Sequence, residues 1–138
     1  MFSTAKMDTT WLDEAHRRFG DRKDIFKYVD TPYSLWYNLF DVFEKAYASS
    51  YNDLDIKNIY EYADWCCRQP RGTTADDDLL TVVAVCFYEH IPENPEAVKD
   101  MPRWLKFEEV TQMKEILSYH VGDEGYRKIV NSFTSGQH

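Results

Sequence analysis

Acidic and imidazole side chains flank the most apolar stretch of this sequence. In Arg71–Pro92, "RGTTADDDLLTVVAVCFYEHIP", three consecutive aspartates precede the apolar run Leu79–Tyr88, and Glu89 and His90 follow it. Carboxylates and imidazoles are side chains that transfer protons and bind metal ions. With His120 further along the chain, they define one hypothesis, a metal-dependent or acid/base enzyme. Its candidate residues are Asp77, Asp78, Glu89, His90 and His120.

The spacing of these residues argues against that hypothesis if the whole stretch is one α-helix. Asp78 and Glu89 would share a face but stand about 16 Å apart along the axis. The adjacent side chains of Glu89 and His90 would point about 100° apart, which is unsuited to chelation. The sequence has no Glu-x-x-His pair, no glycine-rich phosphate loop and no hydrolase or zinc-protease motif. It therefore predicts no catalytic residue, no metal ligand and no cofactor.

Helix capping is a simpler explanation of the same polar residues. A helix at about 74–90 would place the aspartates in its first turn, where carboxylates face the positive end of the helix dipole. Thr74 and Asp77 have the spacing of a capping box, and His90 stands at the opposite end, where a cation is favoured. On this interpretation the carboxylates stabilise a core helix and perform no chemistry.

A second candidate site lies in Tyr47–Trp65, "YASSYNDLDIKNIYEYADW", where aromatic and acidic residues alternate. On a helix, Tyr62 lies near neither Ile56 nor Ile59, so it is expected to be more exposed than Tyr60. Such a surface suits lysine and arginine side chains, through charge and ring stacking. The alternative is a core stripe of tyrosines beside an ordinary solvated face. The predicted partner-binding residues are Asp53, Asp55, Tyr60, Glu61, Tyr62 and Asp64.

The charge distribution also favours a basic protein partner. The chain carries 16 basic and 24 acidic residues, a net charge of −8. The whole surplus lies in residues 31–100, since the segments on either side are balanced. A negative field repels nucleic acid and anionic membranes and attracts basic proteins. We therefore expect no nucleic-acid or membrane partner, whereas a homo-oligomer stays possible.

The cysteines and the apolar runs bear on location. Three cysteines, two of them adjacent, do not suggest a disulfide framework, and they lack the spacing of zinc ligands. The N-terminal "MFSTAKMDTTW" lacks the apolar run of a signal peptide. The longest apolar run is half of what a bilayer requires. These features predict a cytoplasmic protein.

Hydrophobic periodicity predicts an all-α fold of five to six helices around the central apolar helix at about 74–90. Residues 1–30 form an N-terminal segment that is helical in part, 31–133 form the helical domain, and 134–138 are a frayed tail. The other expected helices run from about Thr10 to Gly20, from Thr31 to about Tyr47, from Asn52 or Asp53 to about Gln69, from about Phe107 to Val121 and from Asp123 to Phe133.

The run "CRQPRGTTADDDLLTVVAVCFYEHIPENPEAVKDMPRWL", with "SLWYNLFDVFEKAY" before it and "GYRKIV" after it, resembles a family of small bacterial proteins of unassigned function. The resemblance covers roughly residues 31–133. It implies a compact helical domain of bacterial origin and brings no catalytic residues. The sequence thus favours a non-catalytic acidic helical protein that binds a basic protein, as an immunity protein or an adaptor does.

Overall fold

Two helices, Pro32–Ala46 and Asp53–Cys67, begin at the capping residues that the sequence predicts. In the computed structural model, which describes residues 9–74 and 77–135, Thr31 Oγ1 accepts a hydrogen bond from Ser34 N at 3.1 Å, and Pro32 occupies the first helical position. Asn52 Oδ1 accepts one from Asp55 N at 3.2 Å. These bonds satisfy backbone donors that the helix itself leaves free. Both predicted starts are confirmed.

The described residues form an all-α fold with no strand, as predicted. The α-helices are α1 (Thr10–Phe19), α2 (Lys23–Phe26), α3 (Pro32–Ala46), α4 (Asp53–Cys67), α5 (Leu79–Val83), α6 (Pro95–Asp100), α7 (Phe107–Gln112), α8 (Lys114–Ser118) and α9 (Gly122–Ser135). A π-helical segment, Ala84–Tyr88, continues α5, and the 3-10 turns Ile91–Glu93 and Met101–Arg103 flank α6. None of the described helices is long and apolar enough to cross a membrane.

Aromatic rings make up the centre of the core. Phe87, in the π-helical segment, packs edge-on against Phe43 at 5.0 Å between ring centroids and stacks on Trp36 at 5.1 Å. All three side chains are at most 1% exposed. The rings therefore join α3 to the helix after the aspartates, which also contacts α4 and α8. This apolar helix is central, as the sequence predicts.

The described part of the N-terminal segment belongs to the same core. α1 packs on α4 through the buried side chains of Trp11, Ala15 and Phe19. α2 packs on α3, where Asn38 Nδ2 donates hydrogen bonds to the carbonyl oxygens of Ile25 and Lys27 at 2.9 and 3.0 Å. α1 thus covers a face of α4 that the helical pattern alone leaves open.

The central helix is shorter and less regular than predicted. It begins at Leu79, not at Thr74, and its α-helical part ends at Val83. The next five residues widen into a π-helical turn, in which Glu89 N donates to Ala84 O at 3.0 Å. Glu89 and His90 consequently form a turn after the helix. Single π-helical turns inside α-helices are frequent at functional sites.

The C-terminal region also departs from the predicted helix over 107–121. Met113 interrupts it, with φ −101° and ψ 20°, so that α7 and α8 are separate. α9 begins at Gly122, whose φ of +70° lies in the left-handed region that favours glycine. The predicted helix from Asp123 is thereby confirmed within a residue or two. The predicted frayed tail falls largely on residues 136–138, which lie outside the described residues.

Candidate functional site

Three of the six predicted partner-binding residues are buried. Tyr60 is 4% exposed and Tyr62 only 1%, so the expectation that Tyr62 would be the more exposed tyrosine is wrong. The reason is α1: Tyr62 meets Phe19 edge-on at 5.9 Å and donates a hydrogen bond to Trp11 O at 2.8 Å. Asp55 is 9% exposed. Its carboxylate accepts a hydrogen bond from Arg22 at 2.6 Å and so links α4 to α2.

The other three predicted residues, Asp53, Glu61 and Asp64, are exposed on α4. Glu61 and Asp64 line a groove of about 490 Å³, a volume within the usual range of binding pockets. Aromatic and aliphatic side chains also line this groove: Tyr60 from α4, Tyr88 from the π-helical segment, Trp104 and Leu105. We call it the α4 groove.

The carboxylates of the α4 groove are mostly neutralised. Lys57 Nζ lies 3.2 Å from Glu61, and Arg68 lies 2.9 Å from Asp64, each pair one helical turn apart. Arg18 of α1 approaches Glu61 at 3.9 Å. The rim is therefore an alternation of both signs of charge and not the acidic patch that the sequence suggested. Both one-turn pairs could have been found from the sequence, because their spacing is that of helical ion pairs.

Glu109 is the exception on this rim. It lies at the start of α7, where its Oε1 accepts a hydrogen bond from Lys106 N at 2.8 Å. Among the described residues, no lysine, arginine or histidine forms an ion pair with it. Glu109 therefore presents a carboxylate without an ion pair to a groove whose lining also includes Arg18, Lys57, Arg68 and Arg103.

Trp104 is the most accessible ring of the groove. One side of it is stacked on Tyr60, with 6.0 Å between centroids, and the Arg103 guanidinium carbon lies 4.9 Å from the indole centroid. Its Nε1 donates to Asp100 at 2.9 Å. Arg103 also pairs with Asp53 at 2.7 Å. A half-buried tryptophan fixed on several sides is a typical anchor of protein interfaces. It was not among the predicted residues.

Asp78 has a structural role in the loop that precedes α5. Its carboxylate accepts hydrogen bonds from Arg71 Nε and Nη2 at 2.9 and 2.7 Å, from Gly72 N at 2.9 Å and from the Thr81 hydroxyl. The Arg71 bonds, followed by those from Thr81 and Gly72, hold the pKa of Asp78 well below its usual range. The carboxylate thus organises the loop without capping the helix backbone.

Asp77 is held in the same loop by a different set of donors. Thr74 N donates to its carboxylate at 2.8 Å, which is one half of the predicted capping box, but within the loop rather than in a helix. This bond is the largest cause of the lowered pKa of Asp77. The third aspartate, Asp76, lies outside the described residues. The prediction that Asp77 and Asp78 occupy a helical first turn is wrong.

Replacing Asp78 tests this loop. We expect Asp78→Ala to lower the free energy of unfolding by about 1–2 kcal/mol, because the Gly72 N–H and the Thr81 hydroxyl lose their acceptor. The Arg71 ion pair contributes little, since that guanidinium is exposed. Urea denaturation followed by circular dichroism measures the change. Asp77→Ala, in the same loop but exposed, is the control, and an equal effect of both substitutions would contradict the assignment.

Three of the five residues of the enzyme hypothesis do converge. Glu89, His90 and His120 each place one potential ligand atom so that all three lie within 4.8 Å of one another. His120 Nε2 is 3.1 Å from Glu89 Oε1, and the two imidazole rings stack at 4.6 Å between centroids. Neither Asp77 nor Asp78 joins this cluster. The described residues therefore do not assemble the five-residue site.

The convergence of Glu89 and His90 corrects the argument that their side chains must diverge. That argument assumed a regular α-helix through His90, whereas the helix ends at Tyr88 in a π-helical turn. His120 comes from the turn between α8 and α9, which no local pattern places near Glu89. Glu93, which the sequence did not single out, lies 3.0 Å from His90 Nδ1.

The three cysteines are free thiols. Burial raises the pKa of Cys66 to about 12 and the pKa values of Cys67 and Cys86 to about 11. At neutral pH the thiols therefore stay protonated, which makes them poor nucleophiles.

No protein-family model, curated protein or solved structure matches this chain. Its function has to be inferred from its own geometry.

Proposed function

We propose that this protein binds a basic protein partner without catalysing a reaction, as an immunity protein or adaptor does, and that the partner docks in the α4 groove. The observation that carries the proposal is the position of Trp104, a fixed and partly accessible ring beside the exposed carboxylates of Glu61 and Asp64 and the half-buried one of Glu109. Tryptophan contributes large contact area with few rotatable bonds, so it loses little entropy on binding. Asp53, at the Arg103 end of the groove, extends the same surface.

Lysine and arginine side chains of a partner can take the place of the cations that pair with the carboxylates on the rim of the α4 groove. The pairs Lys57–Glu61 and Arg68–Asp64 are solvent-exposed, and such pairs contribute less than about 1 kcal/mol each. A cationic side chain of the partner can therefore replace either cation at little cost. Glu109 offers a carboxylate with no exchange required. The net charge of −8 adds long-range attraction for a basic partner and speeds association.

We expect the triple substitution Glu61→Gln, Asp64→Asn, Glu109→Gln to reduce partner capture by about 10-fold or more, since charge pairs at interfaces contribute more than exposed ones. The immobilised protein is incubated with a lysate of its source organism, and the bound proteins are quantified by mass spectrometry. The charge-matched control is Asp13→Asn, Glu44→Gln, Glu115→Gln, three exposed positions away from the groove.

The proposal requires that the control triple retains capture while the groove triple loses it, and that the captured protein is basic. Equal loss in both variants would mean that net charge alone attracts partners, and the groove would be dismissed. Unchanged capture by the groove triple would also contradict it. Light scattering of the pure protein identifies the remaining possibility, a second copy of this chain as the partner.

The enzyme alternative keeps one supporting observation. Glu89, His90 and His120 converge, but Asp77 and Asp78 are engaged in the loop before α5. What remains is a set of metal donors without the additional acid and base that the hypothesis required. The observation favours metal binding and not a particular reaction.

We also propose a cytoplasmic location, because three unpaired thiols are typical of proteins from reducing compartments. Membership of the family of small bacterial helical proteins that the sequence resembles stays a proposal of the same kind. The helical domain expected from that resemblance agrees with the fold, although many unrelated sequences fold into helical bundles.

A further inference from the structure

We infer that Glu89, His90 and His120 bind a divalent transition-metal ion, with zinc as the best fit. This site is independent of the proposed partner-binding function, because none of its three residues lines the α4 groove. Two imidazoles and one carboxylate are a donor set that zinc accepts in proteins, and sets of three protein ligands leave the fourth position open. Calcium and magnesium prefer all-oxygen sites, so they fit these donors poorly.

The distances suit a tetrahedral ion. Ligand atoms at about 2.1 Å from zinc stand about 3.4 Å apart at tetrahedral angles. His120 Nε2 and Glu89 Oε1 are already 3.1 Å apart, and no pair of ligand atoms in the cluster exceeds 4.8 Å. Small rotations of the side chains close the remaining difference. Without the ion, a hydrogen bond occupies the contact between His120 and Glu89, and binding would displace its proton.

The backbone around the cluster places donors from two distant parts of the chain together. Glu89 and His90 follow the π-helical segment, which contacts α8. His120 lies in the turn that follows α8, and Gly122 reverses the chain there with a φ of +70°. Each donor therefore lies in a turn fixed by a packed helix, and the histidine side chains are about one third exposed, so an ion can enter from solvent.

Neighbouring side chains orient the two imidazoles. His90 Nδ1 lies 3.0 Å from Glu93 Oε1, and in the tautomer that donates this bond Nε2 is free to bind metal. A carboxylate that accepts a bond from a metal-binding histidine is a common supporting contact in zinc sites. Phe40 packs edge-on against His90 at 5.9 Å, and Tyr119 against His120 at 4.9 Å. Glu93 is thus a positioning residue and not one of the ligands.

The test measures binding of Zn²⁺ to the full chain by isothermal titration calorimetry and of Co²⁺ by its visible absorption. We expect stoichiometric Zn²⁺ binding with micromolar or tighter affinity and a Co²⁺ spectrum of tetrahedral type. His120→Ala and Glu89→Gln should each weaken Zn²⁺ binding by about 100-fold, and Glu93→Gln by about 10-fold. Mg²⁺ should not bind measurably.

His16→Ala is the matched control, because His16 also contacts a carboxylate and an aromatic ring but lies on α1. It should leave Zn²⁺ binding unchanged. Melting curves in EDTA establish that each variant folds. The inference is overturned if wild-type protein binds no Zn²⁺, or if His120→Ala binds it as tightly as wild type does. Partner capture repeated in EDTA separates the two proposals, since loss of the metal should not affect the α4 groove.

Discussion

Asp100→Ala should lower the free energy of unfolding by about 2–4 kcal/mol, because the Tyr47 hydroxyl and the Trp104 indole N–H lose their acceptor. Asp100 is 8% exposed and accepts hydrogen bonds from Tyr47 Oη at 2.6 Å, from Trp104 Nε1 at 2.9 Å and from Arg103. The substitution leaves the tyrosine and indole donors without an acceptor inside the protein. Urea denaturation followed by tryptophan fluorescence measures the loss.

Asp53→Ala is the control for this prediction. Asp53 pairs with the same Arg103 but is exposed, so its loss should change the free energy of unfolding far less than the loss of Asp100. A similar effect of both substitutions would show that the buried network does not hold α3 and α6 together. Asp100 joins those helices because Tyr47 follows α3 directly, whereas Asp100 ends α6.

The same network predicts a pH dependence. Burial opposes ionisation of Asp100, but the hydrogen bonds from Arg103, Tyr47 and Trp104 outweigh it, so its pKa is lowered. A carboxyl whose folded pKa lies below the unfolded value, about 3.9, stabilises the protein above that pH and loses this contribution as the pH falls through the folded pKa. The stability difference between wild type and Asp100→Asn should therefore narrow below about pH 4.

Tyr62→Ala should destabilise the protein by about 3–5 kcal/mol, as truncation of a buried aromatic side chain does. Tyr62 stacks on Trp36 at 5.5 Å and on Trp65 at 5.8 Å, and its hydroxyl bonds to the carbonyl of Trp11. The sequence predicts this ring on the partner-binding surface, and from such a position its removal would leave stability unchanged. Thermal and urea denaturation of Tyr62→Ala distinguish a ring buried in the core from a ring on the partner-binding surface.

Two further variants separate the ring from the hydroxyl and from the surface. Tyr62→Phe should cost about 1 kcal/mol, since it removes one hydrogen bond and keeps the packing. Asp64→Ala, two residues away and exposed, should change stability by less than about 0.5 kcal/mol. If Tyr62→Ala cost no more than Asp64→Ala, α1 would not be packed on α4 in solution.

The fold class and the starts of α3 and α4 could be predicted because their causes are local. Thr31 and Asn52 bond to backbone groups three residues away, within the helix that each begins. The start of α5 could not, because Asp78 bonds backwards to Arg71 and Gly72, and its bond to the helix comes from the Thr81 hydroxyl and not from a backbone N–H. Polar residues before an apolar run predict a helix nearby but do not fix its first residue.

The surface of α4 could be predicted only in part because burial depends on distant segments. The helical pattern identified a face carrying Ile56 and Ile59, and both are fully buried. It could not show that α1 covers a second face of α4 and buries Tyr62 there. Nor could it show that Arg22 donates a hydrogen bond to Asp55. Of the carboxylates that remain exposed, Glu61 has only a long contact with Arg18 of α1, at 3.9 Å.

The donor cluster shows a different limit, since the sequence contains its residues but does not show that they converge. Glu89, His90 and His120 all belonged to the enzyme hypothesis, and a rule for regular helices argued against chelation. The sequence "VAVCFYEH" contains no pattern that predicts a π-helical turn, because such a turn depends on how the segment packs. Departures from regular geometry are the feature of a functional site that sequence patterns describe least well.

The widened turn at Ala84–Tyr88 determines where the side chains that follow it point. A π-helical turn holds one more residue than the α-helical turn it replaces. The residues after it are therefore rotated by about 100° about the helix axis relative to a regular α-helix. Shortening this turn by one residue would rotate Glu89 and His90 away from His120 without changing the identity of any donor.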